Sequence, residues 1–170
     1  MKYVVINGRP RVGKDQFVDF CLNELGNYGK LISSVDFVKE IAHQCGWDGS
    51  KTPKNRKFLS DLKDLLTRWN NVPYQKVIDK IKLFQYDLEY YEVEKNGVVF
   101  IMCREPEEIL KFHRELGAIT VLITRRAVEF EQQSNHADTE VYNYTYDYII
   151  ENNRTLDELE EKAKNFLKSI

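Results

Sequence analysis

Cysteine is scarce in this sequence, and basic residues hold no majority. The three cysteines, Cys21, Cys45 and Cys103, stand far apart with no C-x-x-C pair. That excludes a disulfide framework and a zinc site of ordinary ligand spacing. All three are expected to be small buried residues of a reducing compartment. The formal charge of -2 leaves no basic surplus to neutralise phosphates along a duplex, so nucleic acid is not an expected partner. No apolar run is long enough to span a bilayer and no signal-peptide pattern precedes the first strand, so a membrane is not expected either. Internal repeats and low-complexity tracts are missing as well. What remains, 42% hydrophobic and 31% charged over 170 residues, reads as one cytoplasmic domain, residues 1–170, large enough to bury a core.

What is present alternates. Short apolar runs of strand character are followed by helical patterns, the arrangement of an α/β fold with a parallel sheet. The first strand is expected over Tyr3–Ile6, then a helix from near Gly13 with Phe17, Phe20, Cys21 and Leu25 on one face. A second short strand, Leu31-Ile32-Ser33, leads to a helix near Val35. The pattern breaks between Gly46 and Ser50, and Thr52-Pro53 restarts it with an N-cap and a proline at the first helical position. On that helix Phe58, Leu59, Leu62, Leu65, Leu66 and Trp69 have the three- and four-residue spacing of a core-facing stripe. A further helix from Pro73 turns Val77, Ile78, Ile81 and Phe84 inward.

Val98 to Cys103 is apolar on both faces, as a central parallel strand should be. Arg104-Glu105-Pro106-Glu107-Glu108 opens the next helix, its proline suited to the first position and its acids to the positive end of the dipole. Gly117 closes that helix, and Ile119 to Ile123 forms a fourth strand with Arg125-Arg126 at its carboxyl end. A polar stretch to about Tyr144 precedes a last strand, Tyr148-Ile149-Ile150. Thr155-Leu156-Asp157-Glu158 then starts the final helix with a capping-box pattern. Five strands with helices between them result, and the helical insertion lies between strands two and three.

The first strand runs into G-x-x-x-x-G-K, spelled Gly8, Arg9, Pro10, Arg11, Val12, Gly13, Lys14, and a helix follows. Strand, loop and helix in this order make a phosphate-binding loop credible. Gly8 leaves the strand in a tight turn, and Gly13 lets the backbone approach a phosphate without a Cβ in the way. Amides from Arg9 to Asp15 would wrap an anion at the helix N-terminus, and Lys14 would spread its charge over the outer phosphates. The next residue is Asp15, where a Ser or Thr hydroxyl usually meets magnesium. A carboxylate there can reach Mg²⁺ through water or cap the helix. Gln16 follows, and its amide can donate the bond that a hydroxyl would make to an inner phosphate.

These residues carry a resemblance. The G-K-D loop, SVDFVKEIA after strand two, the arginine in VVFIMCREPEEI and the closing DYIIENNRTLDEL resemble phage-type deoxynucleoside monophosphate kinases. More broadly the chain is similar to the nucleotide and nucleoside kinase-like P-loop group, whose G-K-D loop also occurs in animal phosphomevalonate kinase. The similarity touches most of the chain at scattered motifs, and the loop is the specific one. The resemblance implies a three-layer P-loop NTPase fold with a five-stranded parallel sheet ordered 2-3-1-4-5. It also implies an acceptor-binding helical region at about 35–92 and a lid at about 125–145.

On that resemblance the expected activity is transfer of the γ-phosphoryl group of ATP, with Mg²⁺, to a small acceptor such as a (deoxy)nucleoside monophosphate. Gly8 to Gln16 would bind the ATP phosphates, and Asp36 and Lys39 would line the acceptor site. Arg56 would match the arginine near the acceptor phosphate, and Arg104 the arginine after strand three. Two positions depart from the pattern. Met102 stands where the D-x-R of the family has its acid, and Gln16 where the phage enzymes commonly have Thr. Both bear on magnesium handling, for which Asp15 and Glu105 are the remaining carboxylates.

Other groups carry a chemical and a bland reading side by side. Arg125 and Arg126 leave a buried strand at the edge where ligands of open α/β sheets bind, and can stabilise transferring phosphoryl charge or be a solvated pair. Asp36 can serve the acceptor as a base or simply answer the helix dipole. Arg56 sits among Lys51, Lys54 and Lys57 at a helix start, an anion-attracting cluster or a solvated charge run. Asn135-His136-Ala137-Asp138 reads as a polar loop, and His43 and His113 as helical residues that pack or face water. Tyr142, Tyr144, Tyr146 and Tyr148 alternate at strand spacing, suited to stacking on a base or to packing over the sheet edge. D-x-x-G and N-K-x-D are absent, which argues against a GTPase. The rival expectations are a nucleotide-binding regulatory or interaction protein with little transfer activity, and a kinase of a phosphorylated non-nucleotide metabolite.

Overall fold

Along Lys2–Asn7 successive apolar side chains point to opposite faces, Val4 and Ile6 one way and Val5 the other, and all three are buried. A strand covered on both sides demands this pattern. In the computed structural model, which describes residues 1–90, 97–128 and 140–170, this strand, β1, is the centre of a five-stranded parallel sheet. Its partners are β2 (Gly29–Ser33), β3 (Val98–Met102), β4 (Ile119–Thr124) and β5 (Tyr148–Glu151), in the order 2-3-1-4-5. Ile6 pairs with Met102 of β3 and Asn7 with Leu122 of β4, so the strand ends share one carboxyl edge.

Helices cover both faces. Helix α1 (Lys14–Leu25) and the last helix, α6 (Leu156–Ser169), bury Phe17, Val18, Cys21, Leu159, Ala163 and Phe166 against Val4, Ile6, Phe100 and Ile123. The opposite face is covered by α4 (Val72–Tyr90) and α5 (Pro106–Leu116), whose Tyr74, Val77, Ile81, Phe84, Ile109 and Phe112 meet Val5, Val99 and Ile101. Each large side chain removed from water here contributes about 1.5–3 kcal/mol before the entropy of ordering is counted. Thr52 and Thr155 cap as their sequences predict, each Oγ1 accepting from the backbone N–H three residues on, Asn55 at 3.2 Å and Glu158 at 3.3 Å. No helix among the described residues is long and apolar enough to cross a membrane.

Two expectations need correction. Helix α3 (Pro53–Asn70) buries its apolar stripe only in part: Leu59, Leu62 and Leu66 are half-buried, but Phe58 is 37%, Leu65 56% and Trp69 82% exposed, and the fully buried residue of the helix is Lys63. Period 3.6 fixes which side is apolar, not what covers it, and α3 lies against α2 (Asp36–Gln44) and α4 instead of on the sheet. Cys45 is exposed, because it forms the C-cap of α2 where the chain turns outward, whereas Cys21 and Cys103 are buried. Of the alternating tyrosines, Tyr144, Tyr146 and Tyr148 pack against the core, in line with the packing reading of the series, whereas Tyr142 closes a short 3₁₀ turn. His136 and its neighbours lie outside the described residues.

Candidate functional site

Four buried or half-buried apolar residues carry β1 to Asn7, which is polar and fully buried. A buried amide needs partners. Its Oδ1 accepts from the Gly8 amide at 2.7 Å, while Nδ2 donates to the Tyr146 hydroxyl at 2.7 Å and to the Arg104 carbonyl at 3.3 Å. One side chain thus turns the backbone out of the sheet and ties the turn to the exit of β3. Burial raises the Tyr146 hydroxyl above its ordinary pKa, with Asn7 opposing in part, so it stays protonated and donates to the Val141 carbonyl at 2.8 Å.

Gly8 (φ 146°), Arg11 (φ 65°) and Gly13 (φ 97°) wind the following segment into a loop. A Cβ on Gly8 would run into the Ile123 carbonyl, and one on Gly13 into the Asn152 amide. Arg11 holds the left-handed region despite its Cβ, a strain of about 1–2 kcal/mol that the surrounding bonds must offset. Buried Asn152 supplies one of these, donating to the Val12 carbonyl at 2.9 Å, while its own amide is fixed by Thr124 at 2.8 Å. Lys14 supplies two more. Its Nζ donates to the carbonyls of Gly8 at 2.6 Å and Arg9 at 2.7 Å, holding the ammonium against the loop's own backbone. Helix α1 begins at Lys14, so its first amides have no intrahelical acceptor and present the positive end of the helix dipole.

This donor set fits a polyphosphate: the amides of a helix start, a lysine and a loop wound by positive φ angles. Magnesium has weaker provision. Asp15 is exposed in the first turn of α1, and the N-cap Gly13 makes no side-chain cap. Glu105, half-buried, is the N-cap of α5. No group of three His, Cys, Asp or Glu gathers among the described residues. A Mg²⁺ that keeps its waters and binds through phosphate plus one or two carboxylates remains compatible with this.

Around the loop the strand ends assemble the other candidates. Arg104 is half-buried beside Asn7. Asp36, at the exit of β2, accepts from the Ser33 amide at 3.0 Å and faces Lys80 at 3.5 Å. Arg125 and Arg126 are exposed beyond β4, and the Arg126 amide is fixed by Asn153 Oδ1 at 2.8 Å. Lys39 and Arg56 are also exposed, on α2 and α3. Arg56 Nε donates to the Lys51 carbonyl at 3.1 Å. Arg9 lies 5.0 Å from the centroid of the Tyr142 ring, linking loop to 3₁₀ turn by a cation–π contact.

No family model matches the chain, and no curated protein does. Solved structures share the fold. A crystal structure of shikimate kinase from Aquifex aeolicus superimposes with a TM-score of 0.50 at 16% identity, covering 98% of this chain and 96% of that one. A Chloroflexus aurantiacus protein, provisionally described as a kinase, gives 0.53 at 8% identity, with 99% and 96% covered. At such identities the likeness is one of fold, the P-loop kinase type with sheet order 2-3-1-4-5.

Sequence reading missed Asn7 and Asn152, and gave Tyr146 a stacking or packing role but not its bond to Asn7. A polar residue closing an apolar strand was the available signal for the two asparagines. Their partners lie 139 and 140 residues away in the chain, beyond any local pattern.

Proposed function

We propose that this protein is an ATP-dependent phosphotransferase acting on a small acceptor, most simply a (deoxy)nucleoside monophosphate. One observation carries the reading: a glycine-bounded loop between β1 and α1 with the Lys14 ammonium held 2.6 Å and 2.7 Å from its backbone carbonyls. Beyond bracing the turn, that charge is where phosphoryl transfer needs it, beside the outer phosphates. The fold shared with a shikimate kinase supports the transferase class, and the resemblance in the G-K-D loop supports the nucleotide acceptor.

In this reading ATP supplies the phosphoryl group and Mg²⁺ offsets its charge. The amides from Arg9 to Asp15 with Gln16 hold the phosphates, and Lys14 neutralises charge that develops on the moving group. Asp15 and Glu105 serve the ion through water. Arg104, Asp36, Lys39 and Arg56 attract and orient the acceptor, and Arg125 or Arg126 adds charge from the lid side.

A second reading has its own observation. With Met102 at the end of β3 and Asp15 after Lys14, a chain that binds nucleotide without transfer would look the same at the loop. Coupled detection of ADP release across nucleoside monophosphates and phosphorylated small metabolites separates the two. Acceptor-stimulated release supports the kinase, and the stimulating compound names the acceptor. ATP binding with no stimulated release supports the binding protein.

A further inference from the structure

Helix α3 presents an inverted arrangement. Phe58, Leu65 and Trp69 are exposed while Lys63 is buried, its side chain 9% accessible. The Lys63 ammonium lies 2.8 Å from Glu108 Oε2 on α5, whose side chain is 13% accessible, and the Cys103 thiol donates to the same oxygen at 3.0 Å. Burial alone would lower the Lys63 pKa, but the neighbouring Glu108 carboxylate, with Glu105 beyond it, outweighs this and raises it, so the lysine stays charged. Burial holds the Cys103 thiol well above its ordinary pKa, which keeps its proton on sulfur as a donor.

A buried ion pair adds little net stability compared with apolar residues of the same volume, yet losing one partner is costly. Its effect is to fix geometry. Here the pair joins the helical insertion to a defined point of the core. Cys103, Arg104 and Glu105 are consecutive, and the Arg104 carbonyl touches Asn7 at the mouth of the phosphate loop. The position of α3 is therefore referenced to the same few residues that hold the loop.

We propose that Lys63 and Glu108 are positioning residues: they pin α3 against the carboxyl edge of β3 and so set acceptor affinity, touching neither substrate. The kinetic part rests on the phosphotransferase reading above; the pinning of α3 does not.

The experiment compares the whole protein with K63M, E108Q and the paired replacement K63M/E108L. The paired variant avoids an unpaired buried charge, so it remains folded even where K63M does not. Thermal midpoint, amide hydrogen exchange across residues 55–70, ATP affinity and acceptor KM are read for each. The pair replaced together keeps the thermal midpoint and ATP affinity, while α3 amides exchange faster and acceptor KM rises, both by about ten-fold. Exchange and KM both at wild-type values in a folded K63M/E108L would overturn the proposal, since the pair would then be packing alone. If no acceptor stimulates ADP release in the wild type, the phosphotransferase reading fails, and hydrogen exchange of α3 still decides whether the pin exists.

Discussion

The two sides of the sheet's carboxyl edge are built by different physics. On the phosphate side, backbone conformation does the shaping: three positive φ values, helix-start amides, and buried side-chain amides of Asn7 and Asn152 that leave little freedom. On the side proposed for the acceptor, α4 packs on the sheet through Tyr74, Val77, Ile81 and Phe84, while ion pairs tie in its neighbours, Lys63 of α3 with Glu108 and Lys80 of α4 with Asp36 and Glu40 of α2, and Phe58, Leu65 and Trp69 of α3 face solvent. A phosphate is the same in every nucleotide, so a rigid cradle suits it. In the proposed function an acceptor must be admitted and enclosed, which suits helices whose apolar surface is only partly covered, with the Lys63–Glu108 pair fixing where α3 returns.

The sharpest way to break this contrast is Gly13→Val. The backbone at φ 97° and the adjacent Asn152 amide leave no room, so stability falls by more than about 2 kcal/mol and ATP binding is lost. Urea unfolding with ATP titration checks it, and a stable, ATP-binding variant would mean the cradle is pliable. Asn7→Ala comes next. It leaves the Gly8 amide and the Tyr146 hydroxyl without their partner and costs about 1–3 kcal/mol, read from the denaturation midpoint.

Alkaline pH probes both faces together. Burial raises the Cys21 thiol under α1 to about 12 and holds Cys103 well above its ordinary value. Raised folded-state values mean that this stability is complete below about pH 9 and is lost as pH rises from there. The unfolded chain releases protons that the folded chain keeps, at up to about 1.4 kcal/mol per pH unit for each group. Cys21→Ala and Cys103→Ala should each flatten that slope in urea titrations between pH 8 and 11, taken as about one unit either side of the usual thiol range. The smallest effect belongs to Trp69→Ala. At 82% exposure the indole contributes little, and the unfolding free energy should move by less than about 0.5 kcal/mol. A larger loss would show that the stripe on α3 is covered in solution.

Sequence legibility follows the same division. The loop was readable because glycines and a lysine at fixed spacing have few other uses, and the sheet because Val4-Val5-Ile6 and Val98–Met102 are apolar on both faces. Thr52-Pro53 and Thr155 announced their helices through local hydrogen bonding. Lys63 was unreadable as a buried residue, since its burial depends on Glu108, 45 positions away. The stripe on α3 misled for the complementary reason: periodicity reports a face, and tertiary packing decides its neighbour. Asn7 and Asn152 act through partners that only the closed sheet brings within reach.

The central claim is that the segment between β1 and α1 holds a polyphosphate with Lys14 at its mouth. Equilibrium binding of ATP, without acceptor, to the wild type and to Lys14→Ala tests it most directly. Removal of the ammonium should weaken ATP affinity by about 100-fold, while the free protein stays folded with a thermal midpoint lowered only by the loss of its two bonds to the loop carbonyls. Equal affinities in the two proteins, or no binding to the wild type, would contradict the account.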